Sequence, residues 1–547
     1  MVMSTGKVVR LFGKPGLRYT AYIVIIAIGL IVAGVSTVSC KEKKLFRSGK
    51  GYNDFRFLET DITELQKGYT EGTFTVKEVV EEYLKRIKEI DQAGPRLNSV
   101  ITINPDAIRI AEQLDKELKE GKHRGPMHGI PVLLKDNIDT HDLMPCTAGS
   151  RALMNSFPLK DSFIAAKLRE AGAVIIGKTN LSEWANFRGE LSTSGWSGAG
   201  GQTMNPYCLS RNPCGSSSGS GAAVSANLTV VAIGTETNGS IVCPSHSNGI
   251  VGIKPTVGLL SRSGIIPISF TQDTPGPMSR TVRDAAICLG AMVGIDPADE
   301  LTAASKGKSF TDYTVFLKEE GLKGKRIGLM KETYGVNFKV DSVMNKAVEF
   351  IKSQGAQIIE IERIASPEME QYSFLVLLYE YKDGLNKYFS SLGPGNSIKD
   401  IRDLIEFNRK DSIELSHFNQ KYLEMALEKG DLNSSEYKNA LMKMQKGMRE
   451  EGIDKVMNDN KLDAIIAPTG APAWRTDLTN GDSFQLGSSS PAAISGYPGI
   501  TVPMGEIDGL PVGISFFGRA WSEPRLLEIS YAFEQGTKHR KIPQFYP

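Results

Sequence analysis

From about residue 57 onward the chain alternates amphipathic stretches with short, almost unbroken apolar runs. "FTVKEVVEEYLKRIKEID" and "PDAIRIAEQLDKELKEG" repeat apolar residues at helical spacing and fill the other positions with charge, which predicts helices with one buried face. "GIPVLLKDNID" is a short apolar run bounded by Gly and Pro and predicts a buried strand. "DSFIAAKLREAG" followed by "AVIIGK" reads as helix, glycine stop and strand, and "SSGSGAAVSAN" followed by "LTVVAIG" repeats that logic. "KRIGLM", "AVEFIKSQG" with "AQIIEIE", and "LDAIIAP" continue it. The strands are apolar and β-branched enough to be buried on both sides. The pattern therefore predicts an α/β fold: one large domain with a mixed, mostly parallel central sheet covered by helices on both faces. Residues 370–460 are mostly helical and charged, an excursion expected to shape one wall of a site.

The N-terminus breaks this pattern. Lys7, Arg10, Lys14 and Arg18 precede "AYIVIIAIGLIVAGVSTVSC", a basic head and an apolar segment that read as an export signal or an uncleaved membrane anchor. Ser39-Cys40 ahead of "KEKK" resembles a bacterial lipoprotein cleavage site, with Cys40 as the lipidated residue and Thr37 where that pattern prefers Leu. The expected organisation is a signal or anchor segment at 1–40, a polar tether at 41–56 and a globular domain at 57–547. The expected location is the bacterial cell envelope, exported and membrane-anchored, facing the periplasm or exterior.

Composition narrows the function classes. Lys plus Arg at 64 nearly cancel Asp plus Glu at 62, so no global basic field draws in nucleic acid. With 41% hydrophobic residues the chain can bury a sizeable core. Besides Cys40 the cysteines are Cys146, Cys208, Cys214, Cys243 and Cys288, too sparse for a disulfide framework. Cys208 and Cys214 are near enough to close a small loop, but scattered buried thiols are the expected state.

Candidate chemistry concentrates in "PCGSSSGSGAAVSANLTVVAIGTETNGSIVCP", where two clusters of serine and glycine flank an apolar run. A flexible linker is disfavoured, because both clusters abut elements that look buried. A phosphate loop would need Gly-Lys-Ser/Thr, which is absent. Close packing of a small-residue helix on the sheet is the plain alternative. "TETNGS" crowds backbone N–H groups into a tight turn just before Ser240, a disposition suited to a developing oxyanion. A serine there needs a base. Of the six histidines, His246 is near Ser240 in sequence, but no GxSxG elbow surrounds either serine. There is no HExxH and no CxxC pair, only an isolated Cys243-Pro-Ser-His246 spacing, so metal hydrolysis is disfavoured. Lys135 closes the apolar run "GIPVLLK", an environment that desolvates an ammonium and favours the neutral amine.

Together these pieces resemble the amidase signature family of Ser-Ser-Lys hydrolases. The residues that carry the resemblance are "GIPVLLKDNI" around Lys135, "CGSSSGSGAAV" around Ser216 and "GTETNGSIVCP" around Ser240. "AGAVIIGKTNLSEWANF" and "GYPGITVPMGEIDGLPVGISFFG" add to it, and the likeness runs from about residue 57 to the C-terminus. Within the family, "NLSEWANFRG", "SGWSGAGGQTMNPY" and "RAWSEPRLLEISYAFEQ" are most similar to bacterial peptide amidases. The chain departs from the family pattern at Glu236 (usually Asp), Asn238 (usually Gly), and Val242-Cys243, where an Arg is often found. Cys214 and Ser218 also replace glycines. The missing Arg argues against a small substrate with its own carboxylate.

The resemblance implies Ser240 as nucleophile, Ser216 as a bridge held by a cis peptide, and Lys135 as base. The backbone N–H groups of Thr237, Asn238, Gly239 and Ser240 would be the oxyanion donors. It implies no metal and no organic cofactor. The substrate would be a small-molecule or peptide amide, above all the C-terminal carboxamide of peptides or amino-acid amides, with ammonia as product. The competing readings are a fatty-acid-amide or other acyl-amide hydrolase, an amidotransferase subunit, and a non-catalytic peptide-binding envelope lipoprotein.

Overall fold

A computed structural model describes residues 52–547, of which Arg56–Pro547 form a compact unit. Cys40, the proposed leader 1–40 and most of the tether lie outside the described residues.

Among the described residues, thirteen strands occur in chain order: β1 Val100–Ile103, β2 Pro131–Lys135, β3 Val174–Thr179, β4 Trp196–Ser197, β5 Gly201–Gln202, β6 Val231–Glu236, β7 Val251–Lys254, β8 Thr274–Ser279, β9 Arg326–Met330, β10 Gln357–Ile361, β11 Ala464–Pro468, β12 Gly499–Ile507 and β13 Leu510–Phe517. β4 and β5 form a two-stranded ribbon, and the others form one 11-stranded sheet in the order β1-β3-β2-β6-β8-β7-β12-β13-β11-β9-β10. The sheet is mixed, as the alternation of strands and helices predicts. Parallel pairing joins β3, β2 and β6 on one flank and β11, β9 and β10 on the other, while the centre from β6 to β11 is antiparallel.

Local sequence explains the strands that build the site. Every residue of β2, β3 and β6 is buried, as their unbroken apolar runs require. The small-residue helix Ser218–Ser225 is buried along its whole length. A Cβ on Gly219 would stand 2.2 Å from the Ser99 carbonyl oxygen, so close packing is one reason for the glycines there.

The charged region after residue 367 is helical and includes the helices Glu368–Ser391, Ile401–Lys410, Lys421–Leu427, Ser435–Met448 and Lys455–Asn460. Tyr381, Leu385, Phe389, Leu404 and Leu423 pack with Trp184, Phe187 and Ile268 in one apolar cluster. An ion pair pins the same junction: Arg188 Nη1 donates to Glu183 Oε1 at 2.7 Å and to Glu414 Oε2 at 3.1 Å, with all three side chains fully buried. The Arg188 guanidinium also lies 4.0 Å from the Phe418 ring centre.

Candidate active site

Two adjacent parallel strands deliver the central groups. Leu134 of β2 faces Ile233 of β6, so Lys135 and Thr235 emerge at the same end of the sheet. The fully buried Lys135 has its Nζ 2.7 Å from Ser216 Oγ, 2.9 Å from Thr235 Oγ1 and 3.2 Å from the Thr235 carbonyl oxygen. Burial pushes the Lys135 pKa down to about 7, and the Asp273 and Glu236 carboxylates oppose that shift. A neutral lysine has two N–H groups and one lone pair. When it donates both to Thr235, the lone pair is left for the Ser216 hydroxyl.

Ser216 follows a cis Gly215–Ser216 peptide bond. Its carbonyl oxygen accepts from the Ser182 N–H at 3.0 Å. Gly215 has no space for a side chain, since a Cβ would come 2.2 Å from Ser182 Oγ. Ser217 joins the serine clusters: its N–H donates to the Ser240 carbonyl oxygen at 3.2 Å, and its Oγ donates to the Thr235 carbonyl oxygen at 3.1 Å.

β6 runs directly into the turn Thr237-Asn238-Gly239-Ser240. Glu236 Oε2 closes that turn by accepting from the N–H groups of Ile241 at 2.7 Å and Val242 at 3.0 Å. Thr237 Oγ1 donates to Asp273 Oδ1 at 2.6 Å, and Ser489 Oγ donates to Asn238 Oδ1 at 2.7 Å. The left-handed backbone of the turn falls on Gly239, at φ +82°, and not on Asn238. Among the described residues, the backbone N–H groups of Thr237, Asn238, Gly239 and Ser240 have no intramolecular acceptor. Four such groups in one turn can receive an anionic oxygen.

Ser216, Ser240 and the turn line a cavity of about 640 Å³. Phe187, Tyr422, Trp474 and Phe484 supply aromatic walls, and Glu370, Leu377 and Tyr422 come from the helical region after residue 367. Among the described residues, the cavity's carboxylates are Glu370 and Asp482, and no Lys, Arg or His lines it. Asp482 is held by the N–H and Oγ of Ser194 at 3.0 and 2.5 Å and by Trp474 Nε1 at 3.0 Å.

Cysteine usage differs from the expectation of scattered thiols. Cys214 and Cys243 form a disulfide in the cavity wall, with Sγ atoms 1.96 Å apart and Trp474 packed against them. The partner of Cys214 is therefore Cys243 and not Cys208. Chain reversal between the serine clusters brings the pair together, which no local spacing reveals. Cys146, Cys208 and Cys288 are free thiols.

His246 does not serve Ser240. Its Nε2–H donates to the Ala471 carbonyl oxygen at 2.9 Å, its Nδ1 accepts from the Gly513 N–H at 2.8 Å, and burial lowers its pKa to about 4. Three groups went unread in the sequence: Thr235 and Asp273, described above, and Asn137, whose Nδ2 donates to Thr235 Oγ1 at 3.0 Å. Thr235 and Asn137 lie within two residues of motif positions, which was their available signal. Asp273 had none.

Fold and cavity together define an amide-hydrolysing enzyme, and the chain belongs to the amidase family: a family model described as Amidase matches residues 78–527. It is 42% identical to a probable amidase of Arabidopsis thaliana over 504 residues, 90% of this chain and 92% of the relative. It is 39% identical to a putative amidase of Arthroderma benhamiae, across 89% of this chain and 84% of that one. Among solved structures, the peptide amidase PAM in complex with the competitive inhibitor chymostatin superposes with a TM-score of 0.87 at 48% identity, covering 89% of this chain and all of that one. These findings correct the expected location. Probable and putative amidases of a plant and two fungi stand among the curated relatives, which counts against the assignment to a bacterial envelope. No helix among the described residues is long and apolar enough to cross a membrane.

Proposed function

We propose that the protein hydrolyses the C-terminal carboxamide of peptides or amino-acid amides, releasing ammonia through a Ser-Ser-Lys acyl-enzyme sequence. One observation carries this reading: a buried Lys135 with its pKa near 7 stands 2.7 Å from Ser216, which shares a cavity wall with Ser240. The likeness to a peptide amidase supports the peptide side of the substrate.

Neutral Lys135 takes the Ser216 proton as Ser216 takes that of Ser240, and Ser240 Oγ bonds to the amide carbon. The carbonyl oxygen becomes an oxyanion facing the N–H groups of residues 237–240, where each donor is worth about 10²–10³ in rate. The proton returns through Ser216 to the nitrogen, the C–N bond breaks and ammonia leaves. Water then attacks the ester, with its proton following the same path to Lys135 and back to Ser240.

Ammonia release from a panel of amidated peptides, amino-acid amides and fatty-acyl amides tests the proposal. Peptide and amino-acid amides should rank first, and Ser240→Ala should lower kcat by at least about 10⁴-fold. Preference for fatty-acyl amides would replace the peptide reading. Full activity of Ser240→Ala would remove the mechanism.

A further inference from the structure

The turn before Ser240 is tied to a part of the chain that carries none of the serine motifs. Thr237 Oγ1 donates to Asp273 Oδ1 at 2.6 Å, and Asp273 Oδ2 accepts the N–H groups of Ile268 and Ser269, each at 2.8 Å. Ser269 extends the connection, because its Oγ donates to Glu380 Oε2 at 2.5 Å. Thr271 gives the same oxygen its N–H at 3.2 Å and its Oγ1 at 3.0 Å. Tyr437 OH donates to Glu380 Oε1 at 2.7 Å. A hydrogen-bonded line therefore runs from the helices Ser435–Met448 and Glu368–Ser391, through residues 268–273, to Thr237.

Glu380 is fully buried, and all of these partners are neutral donors. Burying a carboxylate without a cation is costly, and an apolar residue of similar volume would pack the helix without that cost. Folding alone gives no reason for a carboxylate here. What the group does is fix both ends of the short loop 269–271, whose Ser269 N–H aims Asp273, whose other oxygen holds Thr237.

We propose that Glu380 is a positioning residue for the oxyanion turn, acting through Ser269 and Asp273 on Thr237. This rests on the reading of the 237–240 amides as oxyanion donors. The helical region then contributes to catalysis as well as to the cavity wall.

The test uses Glu380→Leu, Tyr437→Phe and Thr237→Val in the full chain, with a peptide amide as substrate and a fluorophosphonate to count folded sites. Glu380→Leu should lower kcat on the order of ten- to a hundred-fold with KM within about two-fold, while the labelling endpoint stays complete. Tyr437→Phe should give a smaller loss of the same kind. Combining Glu380→Leu with Thr237→Val should cost little more than the worse single change, since both cut one line. Unchanged kcat in a fully labelled Glu380→Leu, a loss that only tracks unlabelled protein, or losses that multiply would overturn the proposal. If Glu380→Leu does not fold, Tyr437→Phe decides, because it leaves the carboxylate in place and unchanged kcat there is fatal. An active Ser240→Ala would bring down the catalytic reading and this one together. An inactive Ser240→Ala beside fully active Glu380 and Tyr437 variants removes only the positioning role.

Discussion

Lys135 Nζ sits 2.7 Å from Ser216 Oγ, and both side chains are fully buried. Water cannot solvate an ammonium there, so the amine loses its proton near neutrality, with a pKa of about 7. The unprotonated form is the base. We expect kcat/KM to rise about tenfold per pH unit below 7 and to level off above it. Lys135→Arg, charged at every accessible pH, should be inactive throughout. Asp273→Asn removes an anion that favours the ammonium, so the acid limb should move to lower pH. A pH–rate profile of each variant checks the direction, and a limb that stays put in Asp273→Asn would refute the electrostatic account.

The Cys214–Cys243 disulfide ties the two serine clusters across a sequence separation of 29 residues. Loop closure of that length is worth about 3.6 kcal/mol. The Cys214→Ser, Cys243→Ser double variant should lose about that much in a denaturant titration under non-reducing conditions. Dithiothreitol should shift the parent protein toward the variant's midpoint and leave the variant unmoved.

Glu370 and Asp482 line a cavity that has no cationic side chain among the described residues. A field of one sign in a cleft selects among charged ligands. Peptide amides with acidic residues next to the amide should show kcat/KM about tenfold below basic ones at low salt. The gap should narrow as salt rises and in Glu370→Gln. An equal rate for both substrates at low salt would show that these carboxylates do not reach the bound peptide.

Arg188 is the cation shared by two buried carboxyl groups, Glu183 and Glu414, at the junction between residues 183–198 and the helical region. Arg188→Met leaves Glu183 and Glu414 facing each other without a cation. A loss of about 3–5 kcal/mol in unfolding free energy is expected. Urea unfolding of the variant beside the parent protein measures it.

Much of the parallel flank was legible in the sequence because its strands are buried on both faces and punctuated by glycine: β2, β3 and β6 stand where the runs around "VLLK", "AVIIGK" and "VVAIG" put them. β8 was not, because "TPGPMS" carries two prolines that argue against a central strand. It survives there because β7 pairs only with Met278 and Ser279, leaving Pro275 and Pro277 without a ladder partner on that side. The groups of the candidate site were legible only where they fall in contiguous motifs. Asp273 and Glu380 reach the turn through tertiary hydrogen bonds between distant segments, and the Cys214–Cys243 bond depends on the same folding back. Periodicity and spacing carry no trace of such encounters.

The parallel alignment of Leu134 with Ile233 has a consequence for how this chain can vary. Side chains along a strand swap faces at each step. A single-residue insertion or deletion inside β2 would aim the amine away from Thr235 while the lysine and both serines all remained in the chain. Such a chain would still look competent on paper, and its frame of pairing would have silenced it.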